Sequence, residues 1–178
     1  ALLRALVLRP DWFAPLFAPL APAGGPVIYA RSSLLSLSLS HLGLVALASA
    51  AATLVAVTLA IFVTRPVGAS FLPLSRTITN IGQTFPPVAV LALAVPALGF
   101  GAGPTLVALF LYGLLPIFEN AITALTTLPP ATMEAARGMG LNRWQRLWRV
   151  ELPLALPVIL TGIRLSVVIA LGTATIGS

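Results

Sequence analysis

Charged residues divide this chain into long stretches that contain none. Leu42–Val63 and Thr77–Phe100 carry no charge, Pro104–Phe118 is shorter but equally apolar, and Leu154–Ile176 is interrupted only by Arg164. A helix needs about 20 apolar residues to cross the hydrocarbon core of a bilayer. Spans are therefore predicted near residues 42–63, 77–100, 104–120 and 154–176. The third reaches its length by extending through Glu119-Asn120 at the interface. The predicted fold class is an all-α membrane protein, a polytopic transmembrane helical bundle with about four spans.

Residues 1–41 follow a different pattern. Proline recurs at 10, 15, 19, 22 and 26, among Trp12, Phe13 and Phe17. Proline removes backbone donors and clashes with the preceding turn, so this leader is predicted to lie against the outer surface as irregular chain. Ser36–Ser40 alternates like a strand, but it feeds directly into the first span and reads as that helix's first turns. The short apolar run before Arg9 is a poor signal peptide.

Between the last two spans the chain is polar, with an order of its own. Over residues 127–153 it reads TLPPATMEAARGMGLNRWQRLWRVELP. Pro130 suits the first position of a helix, where its missing N–H costs nothing. Ala131–Met139 are good helix formers apart from Gly138, and Gly140 falls where a helix ends in a left-handed residue. Asn142 can cap a second helix, in which Trp144, Leu147, Trp148 and Glu151 share one face while Arg143, Arg146 and Arg149 lie elsewhere. Trp and Arg together suit the membrane–water interface. Pro153 is predicted to open the fourth span. The product is a compact two-helix elbow, suited to docking a partner.

Composition narrows the function classes. Residues of the AVILMFWYC set make up 58% and charged residues 8%, against about 25% charged in soluble domains. That excludes a soluble globular fold, and it excludes disorder, which requires polar, charged chains. There is no cysteine, hence no disulfide or thiolate chemistry. All ten basic residues are arginine; without lysine there is no phosphate-binding P-loop. His41 is the only histidine, which disfavours metal clusters and catalytic triads. No catalytic residue, metal site or bound cofactor is expected.

The net charge of +6 reads as an orientation signal rather than a nucleic-acid surface. Arg65, Arg76, Arg137, Arg143, Arg146 and Arg149 fall in the two loops that share one side, against Arg4, Arg9 and Arg31 opposite. The positive-inside bias then puts the elbow in the cytoplasm and the N-terminus outside.

Glu134-Ala135-Ala136, three residues, Gly140, nine residues, then Val150-Glu151-Leu152-Pro153 resembles the EAA loop of ABC importer permeases. Further stretches are similar to the osmoprotectant (glycine betaine, choline, carnitine) permeases of that family: Gln83–Pro86, Leu111–Ile117, Glu151–Val158, and Gly162–Arg164 with Gly172–Thr175. The resemblance implies a type I importer bundle in the inner membrane. Its elbow would couple to a dimer of ATPase subunits through Glu134, Ala135, Ala136, Gly140, Val150, Leu152 and Pro153, with ATP and Mg bound by that partner. It also implies an extracytoplasmic solute-binding protein, a second permease copy or homologue, and a last span beyond the fourth. Transport of methionine or another amino acid is an alternative within the class; a membrane scaffold or channel is one outside it.

Candidates for a translocation path are Asn80, Gln83, Thr84, Glu119, Asn120 and Arg164. Polar side chains in hydrocarbon line a cavity or bond helices together, and both readings stand for Asn80, Gln83 and Thr84. Pro86-Pro87 is expected to break the helix there. Arg164 lies near mid-bilayer, where a charge is functional by default, held in a structural ion pair or snorkelling to an interface, with Glu119 a candidate partner.

Overall fold

The computed structural model describes Pro15 and residues 34–177. The expectations for the rest of the leader lie outside the described residues. The chain forms two compact units, Ala1–Gly43 and Leu44–Ser178. The described part of the first is the opening turns of a helix. It starts at Leu34, eight residues before the expected span, and includes the Ser/Leu alternation.

Every described element is helical: α1 Leu34–Val63, a 3₁₀ turn Ala69–Phe71, α2 Leu72–Thr84, α3 Pro87–Leu98, α4 Ala102–Thr126, α5 Pro130–Gly138, α6 Arg143–Arg146, a π-turn Leu147–Glu151, and α7 Leu152–Gly177. Helices α1, α4 and the continuous α6–α7 segment are each long and apolar enough to cross a membrane.

The second expected span needs correction. It is not one helix over 77–100. It begins at Leu72 and breaks at Phe85-Pro86, and its two halves, α2 and α3, meet at 95°. Paired prolines enforce the break, because neither can donate to the turn before it. The third span runs on to Thr126 rather than 120. The fourth does not start at Pro153, since the helix is continuous from the elbow.

Despite its bend, the α2–α3 pair crosses the bundle. Along α4 its partners step steadily back: Arg76 bonds Glu119, Gln83 bonds Tyr112, Val90 packs on Ala108 and Tyr112, and Leu98 lies beside Gly103. The pair is thus one broken span antiparallel to α4. A re-entrant loop would return α4 to the wrong end, whereas Arg65, just after α1, bonds Glu151, just before α7.

Small residues let the long helices close up. Ala48, Ala52, Ala56 and Ala60 recur every fourth position of α1 and are buried, while Leu47 and Leu54 stand exposed as lipid-facing residues do. Where helices share an apolar solvent, close backbone approach supplies the packing energy. Gly113 of α4 marks the convergence of three helices. A Cβ there would lie 3.2 Å from the Ala52 Cβ and 2.6 Å from the Ser166 Oγ of α7. A Cβ on Gly162 of α7 would come as close to α4, 2.8 Å from both the Pro116 carbonyl and the Asn120 Cβ.

Candidate functional site

The elbow is assembled by local bonds. Pro129 is extended and Pro130 takes the first position of α5. At its other end, Leu141 N–H donates to the Ala136 carbonyl at 3.2 Å and Gly140 N–H to that of Arg137 at 2.9 Å. These are the two bonds of a Schellman motif. It requires a left-handed residue, and Gly140 has φ +77°. Asn142 then opens α6 with a full capping box. Its Oδ1 accepts from Gln145 N–H, and the Gln145 side chain accepts from Asn142 N–H, both at 2.9 Å. Each bond satisfies an end group that the turn would leave orphaned.

A charge cluster then fixes the elbow to the bundle. Glu151 is only 3% exposed and lies just outside the apolar run that opens at Leu152. It accepts from Arg65 at 2.5 Å and from Arg146 at 3.1 Å. A buried carboxylate is tolerated when paired and fully bonded. Residues far apart in sequence thereby lock the start of α7 to the end of α1.

The expected single face of Trp144, Leu147, Trp148 and Glu151 is split. Leu147 and Glu151 are buried, while Trp144 and Trp148 are 71% and 67% exposed. The π-turn over Leu147–Glu151 rotates the register, so 3.6-residue spacing no longer describes the helix. It precedes Pro153, which has no N–H for the Arg149 carbonyl and whose ring would crowd it. Glu134, Ala135 and Gly140 are exposed, Ala136 is buried, Val150 and Leu152 are half-buried, and Pro153 is exposed. The outward surface of α5 therefore carries Glu134, Ala135, Gly138 and Met139.

The path candidates are dispersed. Asn80, Gln83 and Thr84 are exposed on α2, with the Thr84 hydroxyl donating to the Asn80 carbonyl at 3.1 Å. Gln83 Nε2 donates to the Tyr112 carbonyl at 3.1 Å, and the Tyr112 hydroxyl donates to the Phe85 carbonyl at the break. Asn120 is half-buried and donates to the Pro116 carbonyl at 2.8 Å. Glu119 does not pair with Arg164. It takes a two-point contact from Arg76, at 3.0 and 3.2 Å, while Arg164 stands exposed on α7. Spacing alone cannot say which face of α4 Glu119 occupies, and that face is turned to α2.

Sequence reasoning missed Tyr112, Arg65 and Arg76. A signal for Tyr112 was present: it precedes Pro116 by four residues, so its carbonyl had to find a donor outside its own helix.

Comparison with known proteins follows the same lines. Residues 52–178 match the family described as binding-protein-dependent transport system inner membrane component. The osmoprotectant import permease protein OsmY of Salmonella typhimurium is 46% identical over 79% of this chain and 60% of its own length. The osmoprotectant import permease protein OsmW of the same organism is 43% identical over 82% of this chain and 69% of its own. The glycine betaine/carnitine/choline transport system permease protein OpuCB of Bacillus subtilis is 38% identical over 71% and 61%. This chain thus spans 60 to 69% of the length of these relatives.

Proposed function

The chain belongs to the family of binding-protein-dependent transport system inner membrane components, and from that premise we propose that it is the permease subunit of an ATP-driven ABC importer for a quaternary-amine osmoprotectant. Glycine betaine, carnitine and choline are the cargoes named for some of its relatives, which favours them over amino acids. ATP and Mg would be bound and hydrolysed on a separate ATPase dimer, and an extracytoplasmic binding protein would deliver the cargo. A second permease copy or homologue would complete the path. The elbow faces the cytoplasm in this reading, and the N-terminus lies outside.

One observation carries the proposal: the elbow is hydrogen-bonded at each of its joints, and Glu151 at its end bonds Arg65 beside α1. Glu134, Ala135 and Gly140 present the surface on which an ATPase would act. Ala136, Val150, Leu152 and Pro153 would set the elbow's seating on the bundle. Movement imposed there passes through Glu151 to Arg65, so α1 and α7 move together with the elbow. Interactions that bias two states through shared contacts are what couple distant sites. Asn80, Thr84, Glu119, Asn120 and Arg164 remain candidates for the wall facing the second copy. Gln83, bonded to Tyr112, would shape that wall rather than meet cargo.

The test is uptake by proteoliposomes holding the full-length protein with its ATPase and binding protein. ATP-dependent accumulation of labelled glycine betaine or choline is expected. Accumulation of methionine alone would reassign the cargo, and flux without ATP would indicate a channel.

A further inference from the structure

A groove at the elbow end of the bundle offers two arginines, Arg137 and Arg143, that the importer reading does not use. It lies between the last turn of α1, the last turn of α4 and the elbow, and encloses about 870 Å³, within the range of small-molecule sites. Four arginines line it, Arg65, Arg137, Arg143 and Arg146, against one carboxylate, Glu151. Arg65 and Arg146 are committed to that carboxylate. The side chains of Arg137 and Arg143 have no hydrogen-bond or ion-pair partner among the described residues. They stand on either side of Gly140, so the Schellman turn brings both to the same groove. Much of the remaining wall is apolar, including Phe62, Leu125, Leu128, Met133 and Trp144.

The position of the groove decides its ligand. It begins where the apolar runs of α1 and α4 stop, at the level of lipid headgroups. Uncommitted guanidinium groups beside an apolar wall fit a ligand with a phosphate at one end and hydrocarbon at the other. A free anion would leave the wall wet, and a zwitterionic lipid would bring its own ammonium into the arginine field. Glu134, Ala135 and Gly140 are absent from the lining, so the groove is separate from the surface assigned to the ATPase. We propose that it holds an anionic glycerophospholipid of the adjacent leaflet, with the phosphate on Arg137 and Arg143 and an acyl chain along the apolar wall. Basic pockets between spans are established sites for such headgroups.

This inference needs only the membrane fold and is tested without transport. Full-length protein in mild detergent is offered equal amounts of dioleoyl phosphatidylglycerol and dioleoyl phosphatidylcholine, and the retained lipid is counted by native mass spectrometry. Phosphatidylglycerol should be preferred about thirtyfold, and Arg137→Gln and Arg143→Gln should each cost about fivefold. Arg149→Gln, whose side chain lies off the groove, should cost nothing. Equal retention of the two lipids by the unmodified protein would overturn the proposal. So would a preference that survives in the double variant, or displacement of phosphatidylglycerol by inorganic phosphate at equal concentration.

Discussion

Gln83 and Tyr112 each donate to a main-chain carbonyl that lacks its helical partner, one in α4 and one at the α2–α3 break. The carbonyl of Tyr112 would ordinarily take the N–H of residue 116, but that residue is Pro116, and Gln83 donates instead. The carbonyl of Phe85 would take the N–H of Ala89, which turns to Pro86 at 2.9 Å, and the Tyr112 hydroxyl donates instead. Two defects at one level of the membrane are thus closed by a reciprocal pair. A buried carbonyl without a donor is costly where no water can reach it.

Gln83→Leu and Tyr112→Phe should therefore each destabilise the protein by about 1–2 kcal/mol. Because both bonds hold the same break, the double variant should cost less than the sum. A double-mutant cycle of thermal unfolding in detergent measures this directly. Strict additivity would show that the bonds act independently.

Glycine at the α4–α7 crossing makes a sharper contrast. Gly162→Ala places a methyl 2.8 Å from the Pro116 carbonyl, backbone that cannot rotate away, and should cost about 1–3 kcal/mol. Gly172→Ala meets nothing within 4 Å on the same helix, so its stability should hold or rise slightly. Melting temperatures of the pair check both.

Gly140→Ala puts a Cβ on a left-handed residue, at a cost of about 1–2 kcal/mol, although no atom lies within 4 Å to clash with it. Gly140→Asn should be milder, since asparagine visits that conformation more readily. Uptake in proteoliposomes should fall steeply for the alanine variant, while membrane insertion stays intact. Unchanged uptake would remove the elbow from the coupling route.

Glu151→Gln removes the charge that Arg65 and Arg146 share. Breaking a fully buried pair costs about 3–5 kcal/mol; both arginines retain some exposure here, so about 2 kcal/mol is expected. The loss should appear locally, as faster proteolysis at the elbow before the spans unfold.

Legibility followed the range of the forces involved. Pro130, Gly140 and Asn142 could be assigned from sequence because caps and turns are set by residues within one turn of each other. Span existence was equally plain, since hydropathy sums over a helix. The 95° bend was not, because Thr77–Phe100 is uncharged throughout and Pro86-Pro87 marks a break without its angle. Glu119 was assigned to the wrong arginine for a related reason. Which faces of α2, α4 and α7 meet depends on close glycine crossings such as Gly82 on Leu111 and Gly162 on Pro116, which follow from the packed bundle alone. The π-turn likewise depends on how α7 seats.

The broken span also dictates an order of biogenesis. Its halves are 13 and 12 residues long, each too short to be handed to lipid as a membrane helix. Arg76 and the open Phe85 carbonyl would enter hydrocarbon unmatched. Their partners, Glu119 and Tyr112, are synthesised later, on α4. The second span should therefore wait at the translocon until the third emerges and insert with it as a hairpin. A nascent chain ended after Phe100, with a glycosylation acceptor appended there, should leave that acceptor untranslocated; extending the chain through Thr126, with the acceptor kept after Phe100, should bring it across.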